Sequence, residues 1–164
     1  MTMTGSGSAK VTLPTDEQIL ITREFDAPRN LVYKAYTTPE LVRHWWHANR
    51  AELTVVEIDL REGGTWRYAA VTPDGFEFAF HGEYREIVPN ERIVSTEVYE
   101  VAPGGDENAT VNTVTFSETN GRTILTILVQ APRKEIRDAI VESGMEDGLQ
   151  DALDLLEETA ASLR

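Results

Sequence analysis

The chain starts with a polar stretch and then changes to alternating and β-branched residues. Residues 1–14 are rich in Gly, Ser and Thr and carry no apolar period, so they cannot offset the entropy lost on ordering. The sequence therefore predicts a flexible tail over residues 1–14 and a single domain over residues 15–164, about one domain's length. From Gln18 the run QILITREFDAP predicts a first strand, closed by an Asp-Ala-Pro breaker.

Two short helices are expected next. Apolar residues recur at helical spacing after Pro28, at Leu31, Val32, Ala35 and Tyr36. Pro39 then opens PELVRHWW, whose apolar residues gather on one side of a second short helix.

The middle of the chain predicts six strands separated by turn signals, over residues 53–60, 65–71, 76–88, 92–100, 110–118 and 122–130. The last two are joined by Asn120-Gly121, a strong hairpin signal. Because short turns connect antiparallel neighbours, these strands should form a meander.

The C-terminal segment changes period again. After Pro132, apolar residues fall on one face at three-and-four spacing, from Ile136 to Leu163. One helix of about 30 residues would span roughly 45 Å, enough to cross the whole sheet. The order of elements predicts an α+β domain with a sheet curled around this long helix.

Four segments together carry a resemblance to a known family. They are ITREFDAPRNLVYKAYTTPELVRHWW, VVEIDLREGGTWRY, PDGFEFAFHGEYREIVPNERIVSTE and ESGMEDGLQDALDLLEE. In this order they resemble the family named after the activator of the ninety-kilodalton heat-shock chaperone's ATPase, within the SRPBCC superfamily, also called START-like or helix-grip. The resemblance implies a seven-stranded antiparallel sheet gripping a long C-terminal helix, with an apolar cavity between them. It does not imply one activity, since such folds host binding modules, cyclases and co-chaperones.

Charge and composition narrow the expected partners. The chain has 15 basic and 28 acidic residues, a net charge of −13, so phosphate-rich nucleic acid and anionic membrane are not expected as ligands. It has no cysteine, which excludes disulfides and thiolate sites. It also lacks a long apolar run and a signal-peptide pattern, so the sequence predicts a cytoplasmic protein. The acidic stretch 138–163, which contains no base, is expected to be a solvated helix face or a docking face for a basic protein partner.

Aromatic residues are the first candidates for a binding site. Within each of two neighbouring predicted strands they keep the same parity, so each set lies on one strand face, expected to be the concave one. With the tryptophans of the second helix they could line a cavity or simply fill the core. The predicted ligand-contacting rings are Trp45, Trp46, Trp66, Tyr68, Phe78, Phe80, Tyr84 and Phe116.

Small residues on the terminal helix add to this prediction. Gly144 and Gly148 lie on its predicted apolar face, and glycine inside a helix costs about 1 kcal/mol relative to alanine. They could allow close packing against a ring or leave room for a ligand, in which case Met145, Gly148 and Leu149 would border it.

No motif for catalysis or metal binding is evident. The sequence has no GxSxG motif and no glycine-rich phosphate loop, and outward-facing Glu57, Asp59 and Arg67 are expected to be solvated. His44 and His47 flank the two tryptophans, yet no third ligand accompanies them. No catalytic residue, metal or cofactor is therefore predicted.

The leading hypothesis is a domain that binds a small apolar or aromatic molecule between sheet and C-terminal helix, without a cofactor. The alternatives are a co-chaperone or other protein-interaction module and, third, a cyclase-type enzyme, for which the sequence offers no convincing acid or base.

Overall fold

A meander of antiparallel strands, interrupted by helices, forms the framework. The computed structural model describes residues 9–47 and 49–164. The elements are β1 (Lys10–Thr12), β2 (Gln18–Phe25), α1 (Arg29–Thr37), α2 (Pro39–Trp45), β3 (Glu52–Ile58), β4 (Thr65–Val71), β5 (Glu77–Val88), β6 (Arg92–Tyr99), β7 (Thr110–Thr119), β8 (Arg122–Gln130), α3 (Lys134–Glu142) and α4 (Met145–Ala161). A short 3-10 helix, Gly105–Asn108, precedes β7.

The strands form one sheet in the order β1-β2-β8-β7-β6-β5-β4-β3, with every neighbouring pair antiparallel. Helices α1 and α2 carry the chain from β2 to β3 at the far edge, and the meander then returns to pair β8 with β2. Register shifts interrupt the β3–β4 and β5–β6 pairings. A β-bulge at a register shift bends the strand and so adds to the curvature of a sheet. The predicted α+β class with a curved antiparallel sheet and C-terminal helix is confirmed.

An eighth strand corrects the prediction at the N-terminus. Residues 1–8 of the predicted flexible tail lie outside the described residues, but Lys10–Thr12 pairs with the edge strand β2. Ala9 is only 6% exposed, and its N–H donates to Gln150 Oε1 at 2.8 Å. The prediction missed this strand because the ordering comes from backbone hydrogen bonds to an open sheet edge, which need no apolar period.

The predicted single terminal helix is two helices. Gly144 separates α3 from α4 and has φ +81°, in the left-handed region that ends helices. The apolar period continues across this break, which is why the sequence pattern predicted one helix. Because the helix is broken at Gly144, α3 and α4 can direct their apolar faces independently.

Helix α4 closes the core. It packs against α1 and α2, and its Leu153, Leu156 and Ala160 are fully buried. An ion-paired arginine also ties α4 to the sheet: Arg23, at an inward position of β2, donates to Asp154 at 2.6 Å and to Glu157 at 3.0 Å. Buried Arg23 also lies 5.1 Å from the ring centroid of Phe25.

Truncation of the α4 core should be costly. We expect Leu156→Ala to lower the free energy of unfolding by about 2–5 kcal/mol, because it leaves a cavity among fully buried side chains. Urea unfolding measures this. Glu158→Ala, an exposed control on the same helix, should stay within about 0.5 kcal/mol of the parent, and equal effects of the two substitutions would contradict the packing described.

Two glycines four residues apart should respond with opposite signs. A Cβ at either Gly144 or Gly148 would meet nothing within 4 Å, so backbone conformation alone decides the outcome. Gly144→Ala should destabilise by roughly 1–2 kcal/mol because φ is positive, whereas Gly148→Ala inside α4 should stabilise by up to about 1 kcal/mol. Thermal unfolding of both variants checks this, and a stabilising Gly144→Ala would show that the helix is continuous.

Candidate functional site

The larger of two cavities among the described residues lies between α3 and the concave face of the sheet. It has a volume of about 660 Å³. One wall is the inner face of α3, which presents Ile136, Ala139, Ile140 and Ser143 at helical spacing, and Met145 extends this wall. The chain between β6 and β7 closes the end of the cavity with Pro103 and Asn108.

The opposite wall consists of aromatic rings from β5 and β6. Strand alternation puts Phe78 and Phe80 on the same face. Phe80 stacks on Tyr99 of β6 with 4.8 Å between ring centroids, and Trp46, just after α2, lies edge-on to Phe80 at 5.5 Å. These contacts hold the rings in defined positions, so this wall is preorganised.

A smaller cavity of about 70 Å³ lies deeper, beside α1 and α2. Its lining includes Trp45, Trp66, Tyr68 and Tyr84. Both buried indoles are fixed to the backbone: Trp45 Nε1 donates to Ala35 O at 2.9 Å and Trp66 Nε1 donates to Thr96 O at 3.2 Å. Trp66 can reach across β5 because its cross-strand neighbour is Gly82, where a Cβ would lie 2.6 Å from Nε1.

Glu97 of β6 borders both cavities. Burial raises the pKa of its carboxyl from 4.5 to about 7. Its one hydrogen bond from a described residue is long: Asn112 Nδ2 donates to Oε1 at 3.4 Å. The Thr110 hydroxyl in turn donates to Asn112 Oδ1 at 3.2 Å, which orients the amide. Glu97 is thus an acid held in a mostly aromatic and aliphatic environment.

An acid three residues further along the chain, just after β6, shows the opposite pKa shift. Glu100 lies on the outer face, where Arg67 donates two hydrogen bonds to it at 2.9 and 3.0 Å and His81 Nδ1 lies 2.8 Å away. The Arg67 guanidinium, with help from His81, lowers the pKa of Glu100 to about 2. Among the described residues, Glu97 has no such cation, because neither cavity lining contains Lys, Arg or His.

Buried phenols line the deeper cavity. Burial raises the pKa of Tyr36, Tyr68 and Tyr84, and the nearby Glu97 carboxylate adds to this for Tyr36 and Tyr68. These side chains are therefore neutral at physiological pH and can donate or accept hydrogen bonds without adding charge.

Most of the predicted ligand-contacting residues border a cavity. Trp45, Trp46, Trp66, Tyr68 and Tyr84 line the smaller one, and Phe78, Phe80 and Met145 line the larger one. Their contact with a ligand remains a prediction.

Three predicted residues line neither cavity. Phe116 is 1% exposed and packs edge-on against Tyr33 and Tyr36 of α1, so it belongs to the core. Gly148 and Leu149 lie in α4, beyond the helix break. The helical wall of the larger cavity is formed by the inner face of α3 and by Met145, and not by these two residues.

Sequence reasoning missed Glu97 and the inner face of α3. A signal for Glu97 was present, because it shares strand parity with Ile93 and Ser95, which also face inward. A charged residue at an inward strand position is uncommon enough to mark a candidate site.

The histidines near α2 show no metal-site geometry. His47 Nδ1 accepts a hydrogen bond from the Asn49 N–H at 2.7 Å. Within residues 9–47 and 49–164 no group of three His, Asp or Glu side chains could hold a metal ion.

None of the helices within residues 9–47 and 49–164 is long and apolar enough to cross a membrane.

Comparison with known proteins gives matches in both sequence and structure. The family model described as activator of Hsp90 ATPase homolog 1-like protein matches residues 26–161. A protein from Rhodobacter sphaeroides superposes with a TM-score of 0.85 at 23% identity, over 94% of this chain and 99% of that one. A protein from Chromobacterium violaceum gives 0.74 at 27% identity, over 86% and 95%. The AHSA1-like protein from Aeromonas hydrophila gives 0.66 at 19% identity, over 88% and 93%. No curated protein matches the chain.

Ionisation of Glu97 should make stability depend on pH. Its folded pKa of about 7 exceeds the ordinary value of 4.5, so between these values the folded state keeps a proton that the unfolded state releases. Stability should therefore fall as pH rises from about 4.5 to 7. Glu97→Gln should remove the part of this pH dependence that comes from Glu97. We therefore expect the free energy of unfolding of the variant to exceed that of the parent by roughly 1–3 kcal/mol near pH 8 and to be nearly equal to it near pH 4.

Urea unfolding of parent and variant across this pH range measures the difference, in which the contributions of all other carboxylates cancel. A difference that does not change with pH would show that Glu97 is solvated in the folded protein.

Proposed function

Because this chain belongs to the family of activator of Hsp90 ATPase homolog 1-like proteins, of the SRPBCC type, we propose that it binds a small apolar or aromatic molecule in the larger cavity. The fold is one that typically binds ligands. The ligand would lie between the rings of β5 and β6 and the inner face of α3.

The size and lining of this cavity carry the proposal. Its volume of about 660 Å³ is within the roughly 300–1,000 Å³ typical of ligand sites. Phe78, Phe80 and Tyr99 supply flat apolar surfaces, and Ile140 with Met145 supplies an adaptable opposite wall. A ligand that buries about 200 Å² of apolar surface would gain roughly 5 kcal/mol from desolvation before the cost of association.

Polar groups would orient the ligand. Thr110 and Asn108 lie at the end of the cavity near Pro103, and Glu97 lies at its inner boundary. A mostly apolar lining with a few polar groups is the usual composition of a small-molecule site.

A protein-interaction role, as in a co-chaperone, is the second candidate and rests on the acidic helical segment. Several of its acids are already paired within the chain: Lys134 bonds Asp138, Arg50 bonds Asp151 and Arg23 bonds Asp154. The acids left for a basic partner include Glu142, Glu146 and Asp147. Small-molecule binding remains the stronger proposal because the cavity needs no further partner to be formed.

Filling the cavity should weaken the binding of a small apolar molecule. We expect the parent protein to bind the neutral apolar dye N-phenyl-1-naphthylamine with a rise in fluorescence, and Ala139→Trp to weaken binding about tenfold or more by occupying the space beside α3. Glu142→Trp is the matched control, since it adds the same ring to an exposed position of the same helix. Equal dye affinity in both variants, or no binding by a folded parent, would contradict the proposal.

A further inference from the structure

We propose that the cavity selects an organic cation, a molecule with an aromatic or apolar body and a positively charged amine that pairs with Glu97. This inference rests on the proposed binding function and adds the chemical class of the ligand.

The described residues that line the two cavities include one charged side chain. Glu97 is the only Asp, Glu, Lys, Arg or His among the described residues that line the two cavities. A buried carboxylate is costly unless a positive charge or several hydrogen-bond donors satisfy it. On the outer face Arg67 pairs with Glu100, whereas the described residues that line the two cavities include no Lys, Arg or His to pair with Glu97. An ammonium group on a ligand would supply the missing charge.

The hydrogen bonding around Glu97 leaves room for such a group. Thr110 and Asn112 form a chain of donors that ends on Oε1, and this last bond is 3.4 Å long. No described residue donates to Oε2. The carboxylate is therefore oriented by one oxygen while the other is open to a donor from the cavity.

Aromatic rings supply a second attraction for a cation. Trp46, Phe78 and Phe80 form a cluster with centroid distances of 5.5 to 6.5 Å. Tyr99 of β6 extends the cluster by stacking on Phe80. The faces of these rings carry negative electrostatic potential, so a cation above them is stabilised. Rings combined with a carboxylate form the kind of site that recognises ammonium groups. The net charge of −13 further favours a cation over an anion.

Binding should depend on the ionisation of Glu97. The other titratable groups facing this space are phenols: Tyr36 from α1, Tyr68 from β4, Tyr84 from β5 and Tyr99 from β6. Helix α3 contributes no ionisable side chain to the lining. Because burial raises the pKa of Glu97 to about 7, its carboxylate form, and with it the affinity for a cation, increases as pH rises through neutrality. An alkylamine stays charged over this range, since its pKa is close to that of lysine, about 10.4.

Three probes with the same body and different head groups test this inference. They are 2-(1-naphthyl)ethylamine, 2-(1-naphthyl)ethanol and 3-(1-naphthyl)propanoate, and the affinity of each is measured by its displacement of N-phenyl-1-naphthylamine from the parent protein. At about pH 8 we expect the amine to bind at least tenfold more tightly than the alcohol and the propanoate to bind most weakly. The amine should weaken about tenfold between pH 8 and pH 6, whereas the alcohol should not.

Glu97→Gln should bring the amine and the alcohol to within about twofold of each other while the neutral dye still binds. The control is Glu83→Gln, which removes the same charge from an exposed position of β5 and should leave the tenfold preference intact.

The outcomes separate the two proposals. If the dye and the alcohol bind but the amine has no advantage, or keeps its advantage in Glu97→Gln, the cation inference is wrong and the proposed cavity function stands. If the dye and all three probes fail to bind the folded parent, both are wrong. The pH dependence in the parent keeps the inference testable even if Glu97→Gln does not fold.

Discussion

The left-handed conformation of Gly144 is the constraint on which the rest of the architecture depends. It ends α3 and lets α4 start with its own orientation. Helix α4 then buries Leu153 and Leu156 against the other helices and the sheet, and α3 stands over the aromatic end of the sheet. A continuous helix would have to present one unbroken apolar stripe to both regions. The break therefore separates the part of the segment that closes the core from the part that leaves a cavity.

Glu97 and Glu100 show how position within this architecture decides the ionisation of an acid. Glu97 of β6 and Glu100, which follows the end of β6, have the same functional group, yet their pKa values move in opposite directions. Glu100 lies beside Arg67 on the outer face, whereas Glu97 lies among the rings of the inner face. Desolvation is the cause of the raised pKa of Glu97, whereas hydrogen bonds from Arg67 and His81 lower the pKa of Glu100.

Similar proteins share the fold of this chain but few of its residues. The family resemblance predicted from the sequence is confirmed, and proteins that share only 19 to 27% of their residues with this chain share its fold. The fold sets where a cavity lies, between the curved sheet and the C-terminal helices. The side chains that line the cavity, such as Glu97 and Phe80, decide which molecules are complementary to it.

The sequence by itself determined the order and type of almost all elements, because alternation, helical spacing and turn residues are local signals. It also placed Phe78 and Phe80 together on one strand face, and both line the cavity. Only the tertiary structure decided that residues 10–12 add a strand, that the terminal helix breaks, that Phe116 is core and that half-buried Glu97 borders two cavities whose described lining contains no cation. The physical reason is that periodicity records which side of an element faces inward but not what stands opposite it. A cavity and the pKa of an acid inside it depend on the separation of surfaces from distant segments, here β5, β6 and α3.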